Sequence, residues 1–157
     1  MTASLLSDVE RSRLRITARA RVLFADTDKL GVVYHASYLR YLEHARVEMM
    51  REMGLAIPTF EPRGLGLPLT ELAVRYRAPA KYDDLMSFHT GVSLLTPARL
   101  HFQYLVTIEP GGRDGLGETI EVLWAETRHA CIRLSDGRPE RLPADVVALL
   151  ESCYTRG

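Results

Sequence analysis

The stretch from Ser37 to Gly54, SYLRYLEHARVEMMREMG, carries the pattern that decides the fold. Charged residues alternate in it with apolar residues that recur at steps of three and four, which places the apolar set on one face of a helix. That apolar set consists of Tyr38, Leu42, Ala45, Met49 and Met53. Gly54 stands where helices commonly end in a residue of positive φ. The pattern therefore predicts one helix of about four or five turns.

Upstream of this helix the sequence has a period of two. From Leu14 to Phe24, apolar residues alternate with Arg and Thr, which is typical of a strand with one buried face. The stretch 25–36 breaks the alternation with two aspartates and a glycine, and it predicts an ordered loop. Residues 1–13 are polar and predict a flexible lead-in to a single domain that spans 14–157.

Downstream of the helix, residues 55–66 contain two prolines and two glycines and predict a loop. Four alternating segments follow and predict strands, at 68–78, 86–94, 100–108 and 118–134. A short helix is expected at 143–151. Strands and helices do not alternate as in βαβ units, so a doubly wound parallel sheet is excluded. We expect an α+β domain in which one long helix lies across a five-stranded antiparallel sheet.

Composition limits the class of protein. The 157 residues fit one compact domain, and 46% hydrophobic and 25% charged residues are ordinary values for a globular protein. Twenty basic and twenty acidic side chains cancel, so no overall charge attracts nucleic acid or anionic lipid. No segment has the length of a membrane span or the core of a signal peptide. We therefore expect a cytoplasmic protein, with two reduced cysteines and neither a cofactor nor a metal.

The segment between the first strand and the helix holds the candidate chemistry. Asp26 and Asp28 precede a helix N-terminus, where unpaired backbone N–H groups carry roughly half a positive charge. Such donors stabilise the negative charge that develops on a carbonyl oxygen under attack. A nearby carboxylate can attack that carbonyl or activate a water molecule. On spacing alone, capping and turn formation are the commoner roles of such aspartates.

The sequence from Asp26 to Glu48, DTDKLGVVYHASYLRYLEHARVE, resembles the signature of the 4-hydroxybenzoyl-CoA thioesterase family, and in particular its YbgC-type acyl-CoA thioesterases. The resemblance extends through LAVRYRAPAKYDD at 72–84 and more loosely to about residue 145. It implies the hotdog fold, in which a five-stranded antiparallel sheet wraps one long central helix. The implied activity is hydrolysis of an aliphatic or aromatic acyl-CoA to free acid and CoA.

The resemblance also assigns roles to individual residues. Asp28 falls on the family's catalytic carboxylate, which acts as nucleophile or general base. His35 falls on the position at the helix start whose backbone N–H polarises the thioester carbonyl, and it counts as the second catalytic residue. Phe24 departs from the pattern, because YbgC-type members carry Tyr there and the hydroxyl is absent here. The positions expected to bind substrate are Gly31, Val33, Tyr34 and Glu43.

Several alternatives remain open at this point. The thiol carrier could be acyl-carrier protein instead of CoA, or the chain could bind acyl-CoA without hydrolysing it. A hotdog dehydratase is disfavoured because it needs a different His/acid pair. Glu43 and Arg46, three residues apart, could form a simple ion pair on the helix. Asp26 is expected to bond the loop backbone. The histidines outside the motif are expected to be structural or exposed: His44, His89, His101 and His129.

Partners follow from the same resemblance. Acyl-CoA is the expected small-molecule partner, and four basic residues could hold its phosphates, although solvated strand faces explain them nearly as well: Arg75, Arg77, Lys81 and Arg99. The expected assembly is a homodimer or a dimer of dimers, that is, a homotetramer. Edge strands of two protomers would pair, with the acyl pocket between them. The edge strand is the one that carries either Leu72 or Val92.

Overall fold

The computed structural model describes residues 4–154, and within them the side chains as far as Ser152. Single 3₁₀ turns at 24–26, 57–59 and 61–63 connect the longer elements. The helices and strands of this part are, in chain order, α1 (Asp8–Ser12), β1 (Arg15–Arg21), α2 (Tyr38–Glu52), β2 (Leu65–Gly66), β3 (Leu69–Tyr76), β4 (Leu85–Leu95), β5 (Arg99–Ile108), β6 (Ile120–Ala130), β7 (Ile132–Arg133) and α3 (Ala144–Tyr154).

Five strands form one antiparallel sheet in the order β1-β4-β5-β6-β3. The predicted α+β class with a five-stranded antiparallel sheet is confirmed. The order also decides which of two strands lies at an edge. Val92 belongs to β4, which pairs on both sides, whereas Leu72 belongs to β3, which pairs only with β6. Among the two candidates, the Leu72-bearing strand is therefore the edge.

Helix α2 packs on one face of the sheet against β1 and β4. Its apolar stripe is buried as the period predicted, with Leu42, Ala45 and Met49 no more than 1% exposed. Gly54 follows at φ +80, a left-handed conformation that suits the end of a helix. From the sheet, Phe88, Tyr104 and Val106 close the core beneath the helix. In contrast, almost every residue of β3 is exposed, so α2 leaves that end of the sheet uncovered.

Two segments differ from the sequence-based expectations. The strand expected at 118–134 is divided at Cys131, whose backbone N–H donates to the carbonyl of Ala98 at 2.8 Å. The remaining residues form β7, which pairs with β2 in a separate two-stranded sheet. The terminal helix expected at 143–151 extends to Tyr154. Alternation alone did not reveal the break, because the apolar pattern continues through it.

The lead-in, expected to be flexible, contains helix α1 between Asp8 and Ser12. The Ser7 hydroxyl accepts from the Glu10 backbone N–H, and the Glu10 carboxylate accepts from the Ser7 backbone, which is a capping box. The segment is attached to β6 because Glu121 accepts from the backbone N–H of Leu5 at 2.9 Å and pairs with Arg11. The sequence analysis did not predict this helix, although its capping box is a local signal.

Candidate active site

The loop between β1 and α2 is held by backbone hydrogen bonds at both ends. Val33 donates to the carbonyl of Ala80 at 2.9 Å, and Tyr34 donates to the carbonyl of Asp26 at 2.8 Å. Between these contacts the chain reverses in a turn closed by Gly31 N–H and the Asp28 carbonyl at 2.9 Å. Gly31 has φ +75, which side chains rarely adopt. The loop is therefore a fixed platform directly before the helix.

Asp28 opens that turn with its side chain half-buried. One carboxylate oxygen, Oδ1, accepts from the backbone N–H of Leu30 at 2.8 Å. Among the described residues no Lys, Arg or His side chain lies within 4.0 Å of this carboxylate, and Oδ2 has no hydrogen-bond partner. The Asp28 carboxylate is thus oriented through one oxygen, while the other is available to a ligand or a water molecule.

Asp26 has a different environment, although it lies only two residues away. It is buried, at 4% exposed, and its carboxylate accepts from Arg40 and from the hydroxyl of Tyr41. Both partners lie on α2, so this carboxylate joins the loop to the helix. The expected bond to loop backbone is made by the carbonyl of Asp26 and not by its side chain. Asp26 therefore has a structural role.

The N-terminus of α2 lies just past this loop and has no side-chain cap. Ser37 occupies the N-cap position without a capping hydrogen bond, and the first turn contains no acidic residue. Within the described residues, the backbone N–H groups of His35 and Ala36 have no protein acceptor. These donors lie in the turn directly before the N-cap, next to the positive end of the helix dipole, which favours negative charge. The arrangement leaves these two N–H groups available to a carbonyl oxygen.

The residues around the helix start define its surroundings. The exposed ring of His35 lies 4.3 Å from the ring of Tyr34, centroid to centroid. The carbonyl of His35 accepts from the hydroxyl of Tyr76 in β3 at 2.7 Å. Phe24 is 75% exposed and meets the ring of Tyr82 edge-on at 5.7 Å. The edge strand β3 is thus joined directly to the segment expected to polarise the substrate.

Further along α2, Glu43 is exposed and makes no ion pair with Arg46. Arg46 instead directs its guanidinium across the sheet, where Nη1 lies 2.8 Å from Nε2 of His129 and the group stands over the ring of Phe102. The simple helical ion pair considered from the sequence is therefore not formed. The partner of Arg46 comes from β6, 83 residues away along the chain.

The four basic residues considered for the CoA phosphates do not share one site. Arg75 lies over the ring of Trp124, and Arg77 pairs with Glu121 at 2.7 Å. Arg99 begins β5, beside the end of β6. Lys81 lines a cavity of about 300 Å³ that two other basic residues border, Arg21 and Arg113, whereas Arg77 lines a different cavity with Arg11.

Acidic residues line the same cavity and pair with some of these basic residues. Asp84 is buried and accepts from Arg113 at 2.6 and 2.9 Å. Burial acts to raise the pKa of the Asp84 carboxyl, but the Arg113 guanidinium and the Lys81 backbone N–H outweigh it, so this pKa lies below its ordinary value. Arg113 is therefore neutralised within the fold, and Arg21 pairs with Asp83 at 3.8 Å. Lys81 is the cation of this cavity that has no ion-pair partner among the described residues.

A sequence model of the Thioesterase-like superfamily matches residues 22–150. This chain belongs to that superfamily. Acyl-CoA thioesterase YbgC of Haemophilus influenzae is 33% identical over 129 residues, covering 82% of this chain and 88% of the relative. A 1,4-dihydroxy-2-naphthoyl-CoA hydrolase of Thermosynechococcus vestitus is 30% identical over 132 residues, covering 83% and 85%.

Solved structures agree with this membership. A hypothetical protein of Thermus thermophilus superimposes with a TM-score of 0.76 at 32% sequence identity, covering 88% of this chain and 99% of the other. The fold is that of the hotdog-like thioesterases, and the resemblance first seen in the sequence is confirmed. The matched residues contain the loop, α2 and every strand from β2 to β7, whereas β1 lies just before them.

Neither a metal cluster nor a membrane-spanning helix occurs in the part of the chain that the structure describes. Residues 4–154 contain no group of three or more His, Cys, Asp or Glu side chains with the geometry of a metal site. Within the same range, no helix combines the length and apolar character needed to cross a membrane.

Cys131 is a buried free thiol whose pKa is raised, first by burial and then by Glu140.

Proposed function

We propose that this chain hydrolyses acyl-CoA thioesters to free acid and CoA at a site built from Asp28 and the N-terminus of α2. The observation that supports this most directly is the half-buried Asp28 carboxylate, which is oriented by Leu30 and lies ahead of a helix start with two unengaged N–H donors. Membership of the Thioesterase-like superfamily and the activities named for its relatives support the same reaction.

The chemistry follows from these groups. The thioester carbonyl oxygen accepts from the N–H groups of His35 and Ala36, which favours the oxyanion over the neutral carbonyl. As a general base, Asp28 takes a proton from water while the hydroxyl bonds to the acyl carbon. As a nucleophile, its oxygen bonds to that carbon first and water then cleaves the anhydride. In both routes the carbon–sulfur bond breaks and CoA leaves as the thiolate, which then takes up a proton.

The remaining members of the proposed site act on binding. Gly31 allows the turn that orients Asp28, and Val33 fixes the loop against the segment before β4. Tyr34 is 45% exposed and offers a ring beside the reacting carbonyl. Glu43 is exposed on the flank of α2, one turn beyond Leu39. We assign these four residues to substrate positioning.

We further propose that the working unit is a homodimer or a dimer of dimers in which α2 forms the central helix of each hotdog. The support is the edge strand β3, which pairs only with β6 and whose Tyr76 is bonded to the carbonyl of His35 at the helix start. This strand carries three exposed apolar residues: Leu69, Leu72 and Tyr76. An unpaired, apolar edge strand is a template for a second copy. Pairing of two such edges would place each site next to the other protomer, with an interface above about 2,000 Å² in total.

The proposal is tested by thiol release from a panel of aliphatic and aromatic acyl-CoA substrates, with acyl-acyl-carrier-protein thioesters as a second arm. We expect turnover on acyl-CoA that saturates with substrate. Turnover only on the carrier-protein thioesters would replace CoA by that carrier. Tight acyl-CoA binding without thiol release would reduce the chain to a binding module and contradict the proposed hydrolysis.

A further inference from the structure

Three side chains mark one flank of α2, beginning at its N-terminus. Leu39, Glu43 and Arg46 follow one another at steps of four and three residues, so they lie in a row along the helix. The row lies on the side of α2 that faces β6, because Arg46 contacts His129 of that strand. A molecule held at the helix start and extended along this flank would pass these residues in order.

Arg46 is a half-buried guanidinium without a carboxylate partner. Its contacts include His129 Nε2, at 2.8 Å, and the ring of Phe102, whose centroid lies 5.9 Å from its Cζ. Across residues 4–154 no Asp or Glu oxygen lies within 4.0 Å of it. A partly desolvated cation that has only neutral partners retains most of its attraction for an anion.

His129 fixes the direction of this guanidinium without neutralising it. The ring is 3% exposed, and its Nδ1 lies 3.1 Å from the carbonyl of Leu67. Since neither a carbonyl nor a guanidinium exchanges roles, Nδ1 donates to Leu67 and Nε2 accepts from Arg46. Burial, and secondarily the charge of Arg46, lower the pKa of His129 to about 4. His129 is therefore neutral at physiological pH and acts as a fixed acceptor.

We propose that Arg46, oriented by His129, determines acyl specificity by binding a terminal carboxylate of the acyl group. This inference rests on the proposed thioester hydrolysis. Arg46 lies eight residues beyond the first residue of α2, which is about 12 Å along the helix axis. The substrate class is therefore a CoA half-thioester of a medium-length dicarboxylic acid. Its methylene chain crosses Leu39, and its free carboxylate reaches the guanidinium.

Such a site discriminates against neutral acyl chains because they would leave the charge of Arg46 unpaired. A neutral acyl chain of the same length would cover the guanidinium with methyl and methylene groups, without a hydrogen bond to replace its water. Sites built around a polar contact reject the analogue that lacks it, because the protein group is left unpaired. A carboxylate gains a charge-assisted, bidentate contact at the same place. The preference should therefore depend on the group at the far end of the acyl chain and not on the thioester.

The test compares substrates that differ only at the far end of the acyl group. The pairs are adipyl- with hexanoyl-CoA, suberyl- with octanoyl-CoA and sebacyl- with decanoyl-CoA. We expect wild type to favour the dicarboxylic member in at least one pair, and Arg46→Met to lower that kcat/KM ratio by about 10- to 100-fold, the range of a charged hydrogen bond. Arg46→Lys should restore part of the ratio, because it keeps the charge but not the fork.

Two controls separate specificity from folding. Arg51 lies on the same helix, is exposed and pairs with Glu48, so Arg51→Met should leave the ratio as in wild type. His129→Gln keeps an acceptor for the guanidinium and should retain more of the ratio than His129→Leu, which removes it. Melting temperatures of all variants show whether a change in ratio reflects loss of structure.

Binding provides a readout that does not depend on turnover. With Asp28→Asn as background, the Kd of each substrate is measured by calorimetry with and without Arg46→Met. Weaker binding of the dicarboxylic member alone supports the inference. A binding ratio that Arg46→Met leaves unchanged in every pair overturns it. Absence of thiol release from all substrates in wild type would instead overturn the proposed hydrolysis, while the binding ratio would still decide the role of Arg46.

Discussion

The hydroxyl of Tyr76 donates to the carbonyl of His35 at 2.7 Å, so the edge strand of the sheet is bonded to the start of the long helix. Tyr76 is 51% exposed, and its ring also contacts Tyr38 in the first turn of α2. The contact thus links the proposed dimer edge to the N–H donors of the proposed site. It gives the peptide group between His35 and Ala36, which carries the N–H of Ala36, a fixed orientation.

Removal of this hydroxyl should disturb catalysis more than folding. Tyr76→Phe keeps the ring contact with Tyr38 and loses the bond to His35. We expect kcat/KM to fall by about 3- to 10-fold, the equivalent of about 1 kcal/mol. Steady-state thiol release measures it, and light scattering on the same sample shows whether the assembly is intact. Wild-type kcat/KM in Tyr76→Phe would mean that the orientation of this peptide does not depend on Tyr76.

A charged substitution in β3 tests whether this edge strand forms the dimer interface. Leu72 in β3 is 39% exposed in the single chain, and the proposed pairing would bury it. Leu72→Asp should convert the assembly to a 17.7 kDa species with little activity, because an uncompensated carboxylate in an apolar interface is costly. Light scattering measures the mass. Leu149→Asp, at a residue of α3 that is 38% exposed, is the matched control. An unchanged mass in Leu72→Asp would place the interface elsewhere.

The ion pair between the buried Asp84 and the half-buried Arg113 should make the free energy of unfolding depend on pH. Because the pKa of Asp84 is lower in the folded chain than its ordinary value of 3.8, the pair stabilises fully above that value. The stabilisation is lost as the pH falls through the lower, folded-state pKa. Asp84→Asn should therefore cost about 1–3 kcal/mol near neutral pH, since the half-buried Arg113 loses its carboxylate partner, and progressively less in acid.

Chemical denaturation at several pH values checks this expectation. Asp114→Asn, at an exposed residue of the same cavity, is the control and should change the free energy of unfolding very little. A cost for Asp84→Asn that stays constant from neutral pH to well below the ordinary pKa would show that the loss arises from packing and not from charge.

Phe24 occupies the position where YbgC-type relatives were expected to carry a tyrosine. Its ring is 75% exposed and rests edge-on against Tyr82, so an added hydroxyl would point into solvent in the single chain. Phe24→Tyr should leave kcat within about threefold of wild type, far below the roughly 100-fold of a working acid–base group. A rise of tenfold or more in single-turnover rate would show that the missing hydroxyl limits this enzyme.

Periodicity predicted the regular elements well because the same side chains that set the period are buried. Leu42, Ala45 and Met49 are fully covered, and α2 begins and ends within one residue of the expected bounds. The antiparallel strands followed from alternation for the same reason. The two loop aspartates, in contrast, look alike in sequence. Their roles differ because the carboxylate of Asp26 bonds to Arg40 and Tyr41 on α2, whereas that of Asp28 bonds only to the backbone of its own turn.

Long-range partners were beyond any local pattern. Arg46 was considered with Glu43, three residues away, but its partner is His129 on the far strand of the core. Neither the identity of the edge strand nor the separation of Arg75, Arg77 and Arg99 from Lys81 follows from spacing, because both depend on strand order. Helix α1 is the exception, since its capping box was present in the sequence from Ser7 to Glu10.

The central claim is that the carboxylate of Asp28 performs the reaction, and thiol release by Asp28→Asn tests it most directly. The amide keeps the size of the side chain and an oxygen that can accept from Leu30 N–H, but it can neither attack the thioester nor take a proton from water. Asp8→Asn, at an exposed residue of α1, is the matched control. We expect kcat to fall by about 100-fold or more for Asp28→Asn, with unchanged melting temperature and assembly. Wild-type turnover by a homogeneous Asp28→Asn enzyme on its best acyl-CoA would contradict the assignment.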